Sequence, residues 1–267
     1  GISGTSSIVQ LDAWNWEDAA YRMDDGIHMY FPQRMYGPRW WLGETENRPN
    51  KEYDEQIAEI EKAFSDAKAY AAGTPAKVNL KMEAMKGLFD GSKSLFIRVN
   101  KAKDIISSVM TAQKNGVKKV VIVGGYDAPL VADFLKTNNV AVIVTSTHSL
   151  PRRAEDHVNH AYKIPALLKE AGVEFCLAHN GDMLSTTRNL AFFVGSAAGH
   201  GLSKEDALKA ITSDAAKILG ISDKTGTLKV GLDANIIISE GDLLDMRSNQ
   251  MFRVFIQGRN VDLKGKQ

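Results

Sequence analysis

The stretch Ser94–Ile105, SLFIRVNKAKDI, is an apolar run that ends in Arg98 and Asn100 and then continues as a helical pattern. The same order recurs after it. The pattern predicts strands at Leu95–Val99, Lys119–Val123, Val140–Thr145 and Val173–Ala178, each followed by a helix. These runs are almost uninterrupted Val, Ile, Leu and Phe, as expected of parallel strands buried on both faces. Four strand–helix units in series predict an α/β fold, either half of a (β/α) barrel or an open doubly wound sheet.

Composition narrows the function classes. The chain has 267 residues, and 33 Lys and Arg balance 32 Asp and Glu, so the sequence gives no reason to expect a nucleic-acid or membrane-surface partner. No stretch approaches the roughly 18 apolar residues of a membrane span. The single cysteine, Cys176, excludes an internal disulfide, and its apolar surroundings in VEFCLAH favour a buried thiol over a nucleophile.

The opening of the chain carries an unusual aromatic content. All four tryptophans lie within its first fifty residues. The proline-rich segment MYFPQRMYGPRWWLGETENRPN predicts a long loop, which is a lid over a pocket, a surface loop pinned by aromatics or a patch that covers a neighbouring subunit. A strand is predicted at Ser7–Leu11. The chain starts at Gly1 without a signal-peptide pattern, so we interpret it as a piece of a longer protein and read no localisation from this end.

Helices are predicted on either side of these strands. From Asn50 the residues Ile57, Ile60 and Phe64 share one face, and a second helix is expected over Asn79–Phe89. After Gly201 a helix begins with a capping box, in which Ser203 precedes Asp206. The tail segments GTLKVG, ANIIISEG and FRVFIQGRNVDL are predicted strands. We therefore predict a barrel portion over residues 1–222 and a composite β-sandwich portion over residues 223–267 that pairs with strands preceding Gly1.

The segment TSDAAKILGISDKTGTLKVGLDANIIISEGDLLD carries a specific resemblance. It is similar to the closing segment of metal-dependent amidohydrolases, in particular the imidazolonepropionase-like and prolidase-like branch. Asp214-Ala215, Asn235 and Leu243 depart from the family pattern. The matching residues are Thr212, Ala216, Leu219, Gly220, Gly226, Leu228, Gly231, Asp233, Ala234, Gly241, Asp242 and Leu244. The resemblance implies a partial (β/α)8 TIM-like barrel with a small C-terminal β-sandwich flank, and metal-dependent hydrolysis of non-peptide or dipeptide C–N bonds with one or two zinc or similar ions.

The same resemblance implies where the metal ligands belong. Arg98 and Asn100 stand at the histidines expected on the family's fifth barrel strand, Gly124 at the histidine of the sixth, and Asn180 at the aspartate of the eighth. Arginine brings a fixed positive charge and no lone pair, glycine has no side chain, and an asparagine amide is no general base. The interpretation is a barrel mouth without its metal, and no metal or other cofactor is expected in this chain.

Other residues leave alternatives open. If the alignment with the family pattern is shifted by one residue, an alternative metal site could use His179, Asp182 or Asp127. His179 would then stand in a catalytic position. His148 follows the third predicted strand and either lines the mouth or is a hydrogen-bonded loop residue. His157 and His160 are interpreted as a solvated helix face, and His200 as structural. Arg98 and Lys101, with Arg152 and Arg153, either make the mouth positive for an anionic ligand or face water.

Two classes of function follow. The first is an amidohydrolase with a remodelled site. The second is a non-catalytic barrel that binds a small-molecule ligand or serves as a partner subunit of an active amidohydrolase. Because an open sheet edge leaves backbone groups unpaired, we also predict a homo-oligomer or association with a missing N-terminal segment.

Overall fold

The computed structural model describes residues 1–263 except residues 75, 146 and 180–183, and without the side chains of residues 40 and 184–186. Contacts divide the chain into two units. The first unit comprises Gly1–Ser7 with Arg22–Asp127, and the second unit comprises Ile8–Tyr21 with the chain from Ala128 onward. Within the described residues, no helix is both long enough and apolar enough to cross a membrane.

The elements up to Asp127 alternate as the sequence predicts. A 3₁₀ turn at Trp40–Leu42 lies between two short strands. In chain order the elements are β1 (Ile2–Val9), α1 (Trp16–Ala19), β2 (Ala20–Tyr30), β3 (Met35–Tyr36), β4 (Arg48–Pro49), α2 (Tyr53–Ala72), α3 (Leu80–Met85), α4 (Gly87–Asp90), β5 (Ser94–Val99), α5 (Ala102–Lys114) and β6 (Val120–Gly124).

The core of the first unit is a parallel sheet. β2 pairs with β5 from Gly26↔Ser94 to Tyr30↔Arg98, and β5 pairs with β6 from Leu95↔Val120 to Val99↔Gly124. Alternate residues of these strands, such as Met29, Ile97 and Ile122, are fully buried. We assign them to the face covered by α5, which contacts β5 and β6 and buries Ile105 and Val109. The intervening residues lie on the opposite face.

The first two strands form an antiparallel hairpin. The Tyr30 N–H donates to the Gly1 carbonyl at 3.0 Å, and the Gln10 N–H donates to the Ala19 carbonyl at 2.8 Å. The predicted strand at Ser7–Leu11 is therefore displaced, because β1 already begins at Ile2 and ends at Val9. Leu11, which the pattern placed in the strand, is 90% exposed at the turn.

The second unit contains the remaining elements. A 3₁₀ turn at Ala128–Val131 precedes the first helix, and another at Leu184–Asn189 precedes the third. In chain order the elements are α6 (Ala132–Thr137), β7 (Ala141–Val144), α7 (His160–Ala171), β8 (Phe175–Leu177), α8 (Leu190–Ala198), α9 (Lys204–Ala210), α10 (Ser213–Leu219), β9 (Ile236–Glu240), β10 (Gln250–Ile256) and β11 (Arg259–Asn260).

The core of the second unit surrounds a second parallel pair. β7 and β8 are parallel, from Val142↔Phe175 to Val144↔Leu177, and every residue of both strands is buried. Cys176 lies in this pair at 3% exposure, and burial raises the pKa of its thiol to about 12. The prediction of a buried structural cysteine is confirmed.

Helix ends in the second unit follow the predicted chemistry. The Ser203 side chain accepts the Asp206 N–H at 3.0 Å and begins α9, so the N-cap half of the predicted capping box is confirmed. The Asp206 carboxylate accepts from the Ser203 hydroxyl at 2.8 Å. Gly220 ends α10 in the left-handed conformation with φ 70°, which a glycine adopts without steric cost.

The C-terminal tail forms a small antiparallel sheet. β10 pairs with β9 and with β11, and the register shifts between Met251 and Arg253. The predicted strand GTLKVG is wrong, because the chain over residues 226–231 is irregular and Leu228 and Val230 are 83% and 101% exposed. A strand needs a partner, and no described strand pairs with this segment. The boundary at residues 222/223 stays a prediction.

Two further predictions are corrected in detail. The expected helix over Asn79–Phe89 is split into α3 and α4 at Lys86. The predicted long loop after β2 is closed at its base by the short pair of β3 and β4, in which Met35 faces Pro49 and Tyr36 faces Arg48. Both segments keep their expected positions in the chain, so the alternation of strands and helices that defines the α/β class is confirmed.

Candidate functional site

The carboxyl ends of β5 and β6 are tied together through Asn100. Its Oδ1 atom accepts the Tyr126 N–H at 3.3 Å, and its carbonyl accepts the Asp127 N–H at 2.8 Å. The Gly125 N–H donates to the Val99 carbonyl at 2.9 Å. Asn100 therefore joins the two loops that follow these strands, and its amide oxygen is already engaged by the backbone.

The hydrogen bonds between these two loops explain why residue 124 is a glycine. Its φ is +103°, which is unfavourable for any residue with a Cβ atom. An added Cβ would lie 2.8 Å from Asn100 Oδ1 and 3.2 Å from the Val99 carbonyl oxygen. A histidine has no room at this position while the backbone keeps its course and Asn100 keeps its contact with Tyr126.

Asp127 also supports the backbone. Its side chain is buried, and its Oδ2 atom accepts the Ala102 N–H at 3.2 Å, at the first residue of α5. A carboxylate at a helix N-terminus satisfies a free N–H and interacts favourably with the helix dipole. This hydrogen bond gives Asp127 a structural role at the strand ends.

Arg98 lies on the face of the first sheet opposite to the fully buried Ile97. In the register of the sheet, Arg98 stands opposite Tyr30, and its guanidinium carbon lies 5.5 Å from the centroid of the Tyr30 ring. Two residues earlier on each strand, His28 stacks on Phe96 with ring centroids 5.0 Å apart. Burial, and secondly the charge of Arg98, lower the pKa of His28.

His28 is a site residue that the sequence interpretation missed. The signal was present in the alternation GIHMY, in which Ile27 and Met29 are buried while His28 and Tyr30 point to the other face. The sequence pattern predicts no strand over these residues, and the predicted loop begins at Met29. Side chains alternate between the two faces of a strand, so the sequence shows which residues share a face once the strand itself has been identified.

The ends of β7 and β8 carry a cluster of rings. His148, after β7, makes an edge contact with Phe193 at 4.6 Å and a tilted contact with Tyr162 at 5.5 Å. Its Nε2 atom contacts the hydroxyl of Ser196. Because that hydroxyl donates to the Phe192 carbonyl at 3.1 Å, its oxygen accepts from His148. His148 is thus a hydrogen-bonded residue, as one of the two interpretations predicted.

The remaining histidines of the second unit are also engaged. His179, after β8, stacks on Phe193 with centroids 5.5 Å apart and an interplanar angle of 17°. His200 stacks on Tyr162 and its Nδ1 atom lies 2.7 Å from the Ser196 carbonyl oxygen. His157 Nδ1 accepts the Asn159 N–H at 3.0 Å. Burial, and then the neighbouring His200, lower the pKa of His148, which favours its neutral form. Asn180 and Asp182 lie outside the described residues.

These donors do not fit a divalent metal ion. Such an ion needs three or four His, Cys or carboxylate ligands. Among the described residues, no group of three or more His, Cys, Asp and Glu side chains is placed to hold one. At the ends of β5 and β6, Arg98 offers only donors, Gly124 has no side chain, and the Asn100 amide oxygen accepts from Tyr126.

Fold and site together define a class of protein: an α/β chain of parallel strands and helices with a small antiparallel C-terminal sheet and polar groups at the strand ends. The sequence matches the Amidohydrolase family over residues 3–263. The chain belongs to the amidohydrolase family, so the predicted resemblance to that family is confirmed. The predicted α/β class, with parallel strands, helices and a small antiparallel C-terminal sheet, is confirmed as well. Among curated protein sequences none matches significantly.

Solved structures agree in fold. An amidohydrolase from Thermotoga maritima MSB8 is similar with a TM-score of 0.81 at 22% identity, over 98% of this chain and 68% of that chain. The amidohydrolase eaj56179 matches with a TM-score of 0.50 at 19% identity, over 69% of this chain and 48% of its own. Phenylurea hydrolase B matches with a TM-score of 0.50 at 15% identity, over 77% of this chain and 57% of its own.

Proposed function

We propose that this member of the amidohydrolase family is a non-catalytic, ligand-binding protein that does not hydrolyse C–N bonds at the ends of β5 and β6. The observation that carries the proposal is the fit between Gly124 and Asn100. A Cβ at position 124 would lie 2.8 Å from Asn100 Oδ1, in a backbone conformation of φ +103°. The backbone conformation at Gly124 therefore suits hydrogen bonding between the two loops and leaves no room for a metal-ligating side chain at this position.

The neighbouring charge supports the same conclusion. Metal-dependent hydrolysis requires a cation that lowers the pKa of a bound water, held by ligands at about 2.0–2.3 Å. Arg98 places a fixed positive charge on β5 beside the tie. Its charge already disfavours protonation of His28, so it would equally disfavour a divalent cation at the same face.

The test combines metal analysis with hydrolysis assays. Protein purified without chelator is analysed for bound transition metals and then assayed on N-acyl amino acids, dipeptides, cyclic amides and phenylureas, with and without added Zn²⁺ or Mn²⁺. We expect far less than about one equivalent of metal per chain and no turnover above background. Stoichiometric metal together with metal-dependent turnover would overturn the proposal.

A second candidate is hydrolysis at a site rebuilt in the second unit. The observation that favours it is that His148 and His179, each following a strand, both contact Phe193. In that case bound zinc and activity would both be lost in His179→Ala, whereas His157→Ala, in a histidine that accepts only a local N–H, would keep both. Under the first proposal neither substitution changes metal content.

Association with an active relative is part of the non-catalytic proposal. Sedimentation and native mass spectrometry of the purified chain measure whether it forms a homo-oligomer. Mixing it with an active amidohydrolase, followed by assay, measures whether it acts as a partner subunit. We expect any gain in turnover in such a mixture to persist in Arg98→Met, because Arg98 lies in the ligand site proposed below and not in a metal centre.

A further inference from the structure

Arg98 is a half-buried cation at the carboxyl end of β5, on the same face of the sheet as Tyr30 and His28. Within the described residues, no carboxylate forms an ion pair with it and no acceptor takes a hydrogen bond from its guanidinium; its recorded contact is the Tyr30 ring at 5.5 Å. A ring contact satisfies none of the five N–H donors of arginine. We infer that Arg98, with Tyr30 and His28 beside it, binds the carboxylate group of a small organic ligand. This inference rests on the proposed ligand-binding function.

The register of the sheet brings the three side chains together. Tyr30 stands opposite Arg98, and His28 stands opposite Phe96, two residues before Arg98 on the same face. Two residues along a strand span about 6.6 Å and neighbouring strands lie about 4.8 Å apart, so the backbones of His28 and Arg98 are about 8 Å apart, within reach of a long side chain. The stack of His28 on Phe96 holds the imidazole in place.

Among the described residues, no acidic side chain neutralises the charge of Arg98. Burial, and then the charge of Arg98, lower the pKa of His28, which favours the neutral form of that ring. Removing a charge from water without a partner costs free energy. Elsewhere in the first unit, Arg39 and Arg48 both pair with Glu44, and Arg34 lies 3.9 Å from Asp104. The exception at Arg98 is explained if a ligand supplies the anion.

The chemistry of the surroundings favours a carboxylate over a phosphate. The guanidinium fork matches the two oxygens of a carboxylate in a planar, bidentate contact. A single positive charge balances a monoanion, whereas a dianionic phosphate would need a second cation. Tyr30 is 56% exposed, so its ring is available to cover the apolar part of an organic acid. The ligand class is therefore an aromatic or aliphatic carboxylic acid.

Titration of the intact chain with a matched pair of probes tests the assignment. Benzoate carries the carboxylate and benzamide is its neutral counterpart, and binding is followed by calorimetry and by NMR shifts of the His28 ring. We expect benzoate to bind and benzamide not to bind. Arg98→Met should weaken benzoate binding by at least about tenfold, and Arg98→Lys, which keeps the charge but loses the fork, by less.

Two further variants keep the test interpretable. Arg253 lies 5.5 Å from the Phe252 ring, the same distance as Arg98 from Tyr30, so Arg253→Met is a matched control that should bind benzoate like the parent. If Arg98→Met fails to fold, Tyr30→Ala replaces it, because removing a ring that is 56% exposed spares the core. Losing the ring that covers the apolar part of the acid should weaken benzoate binding by a few-fold.

Each outcome decides between the two proposals. Equal benzoate affinity in the parent and Arg98→Met, or no benzoate binding by a metal-free parent, overturns the carboxylate site and leaves the proposed function standing. Arg98-dependent binding of inorganic phosphate that is tighter than that of benzoate overturns the carboxylate assignment. Stoichiometric metal with turnover overturns the proposed function whatever benzoate does.

Discussion

The ends of β5 and β6 and the ends of β7 and β8 occupy equivalent places in successive strand–helix units, yet they are built differently. At the first pair, backbone hydrogen bonds and the Asn100 amide join the loops. Gly124 leaves room for that amide because it has no Cβ atom. At the second pair, rings hold the loops, with His148 and His179 packed on Phe193. The comparison teaches that loops at strand ends can be fastened in two ways, by backbone and amide hydrogen bonds at the first pair and by packed rings at the second.

The largest expected effect is that of Gly124→Ala, which tests the backbone tie. The substitution places a Cβ 2.8 Å from Asn100 Oδ1 at φ +103°, so we expect a loss of about 2–4 kcal/mol in the free energy of unfolding. Denaturant titration measures it. Gly37→Ala is the control, because nothing lies within 4 Å of its added Cβ, and its effect should stay within about 0.5 kcal/mol. Equal effects would show that Gly124 is not constrained.

The second effect tests the ring cluster. Phe193→Ala removes the ring that both His148 and His179 contact, and we expect a loss of about 2 kcal/mol in the free energy of unfolding. Phe252→Ala is the matched control, since Phe252 is 63% exposed in the C-terminal sheet and should change stability by less than about 0.5 kcal/mol. A Phe193 effect no greater than the control would mean that hydrogen bonds alone hold these loops.

A smaller effect is expected on the pH dependence of stability, through Asp104 in the first turn of α5, which follows Asn100 in the sequence. Asp104 is buried and lies 3.9 Å from Arg34 Nε, and burial raises the pKa of its carboxyl above the ordinary value of 3.8. The folded state therefore holds this proton more tightly than the unfolded state, and stability is lost as pH rises through the folded pKa.

Asp104→Asn removes that dependence. We expect the variant to melt at a higher temperature than the parent at neutral pH, and the difference to shrink as pH falls toward the ordinary carboxyl pKa of 3.8, where the parent becomes neutral. Melting curves of both proteins across this range measure it. The opposite trend, with the parent favoured at neutral pH, would show that attraction to Arg34 outweighs desolvation.

The smallest effect is a change of pKa at His28. Burial is the larger cause of its lowered pKa and the charge of Arg98 the second. Arg98→Met should therefore raise the pKa of His28 without returning it to the ordinary value of 6.5. NMR titration of the imidazole reports it directly, with Arg253→Met as the variant that should leave His28 unchanged. An unaltered pKa in Arg98→Met would place the guanidinium away from the ring.

The sequence predicts most of the repeated units and less of their connections. Strands β5 to β8 were found within one or two residues, because continuous apolar runs are a strong signal of buried strands. The hairpin of β1 and β2 was largely missed, because β1 is mostly exposed and carries no apolar alternation. GTLKVG looked like a strand by composition, but composition does not supply a partner strand.

The candidate site was partly predictable. Arg98, Asn100 and Gly124 were identified by resemblance, yet the sequence did not indicate that Asn100 and Gly124 depend on each other through a close approach of backbone and amide. His148 is predicted either to line the mouth or to be a hydrogen-bonded loop residue, and its contacts with Ser196 and Phe193 are not visible in the sequence. Contacts between side chains distant in sequence decide such cases, and one sequence alone does not encode them visibly.

The buried thiol in β8 has a practical consequence. Cys176 is the single cysteine of the chain, and a pKa of about 12 keeps it as an unreactive thiol at neutral pH. We expect the folded protein to resist alkylation by iodoacetamide. The rate at which Cys176 is labelled therefore measures how often the β7–β8 core opens. Because the native thiol does not react, cysteines introduced in either unit can be labelled selectively with fluorophores or spin labels.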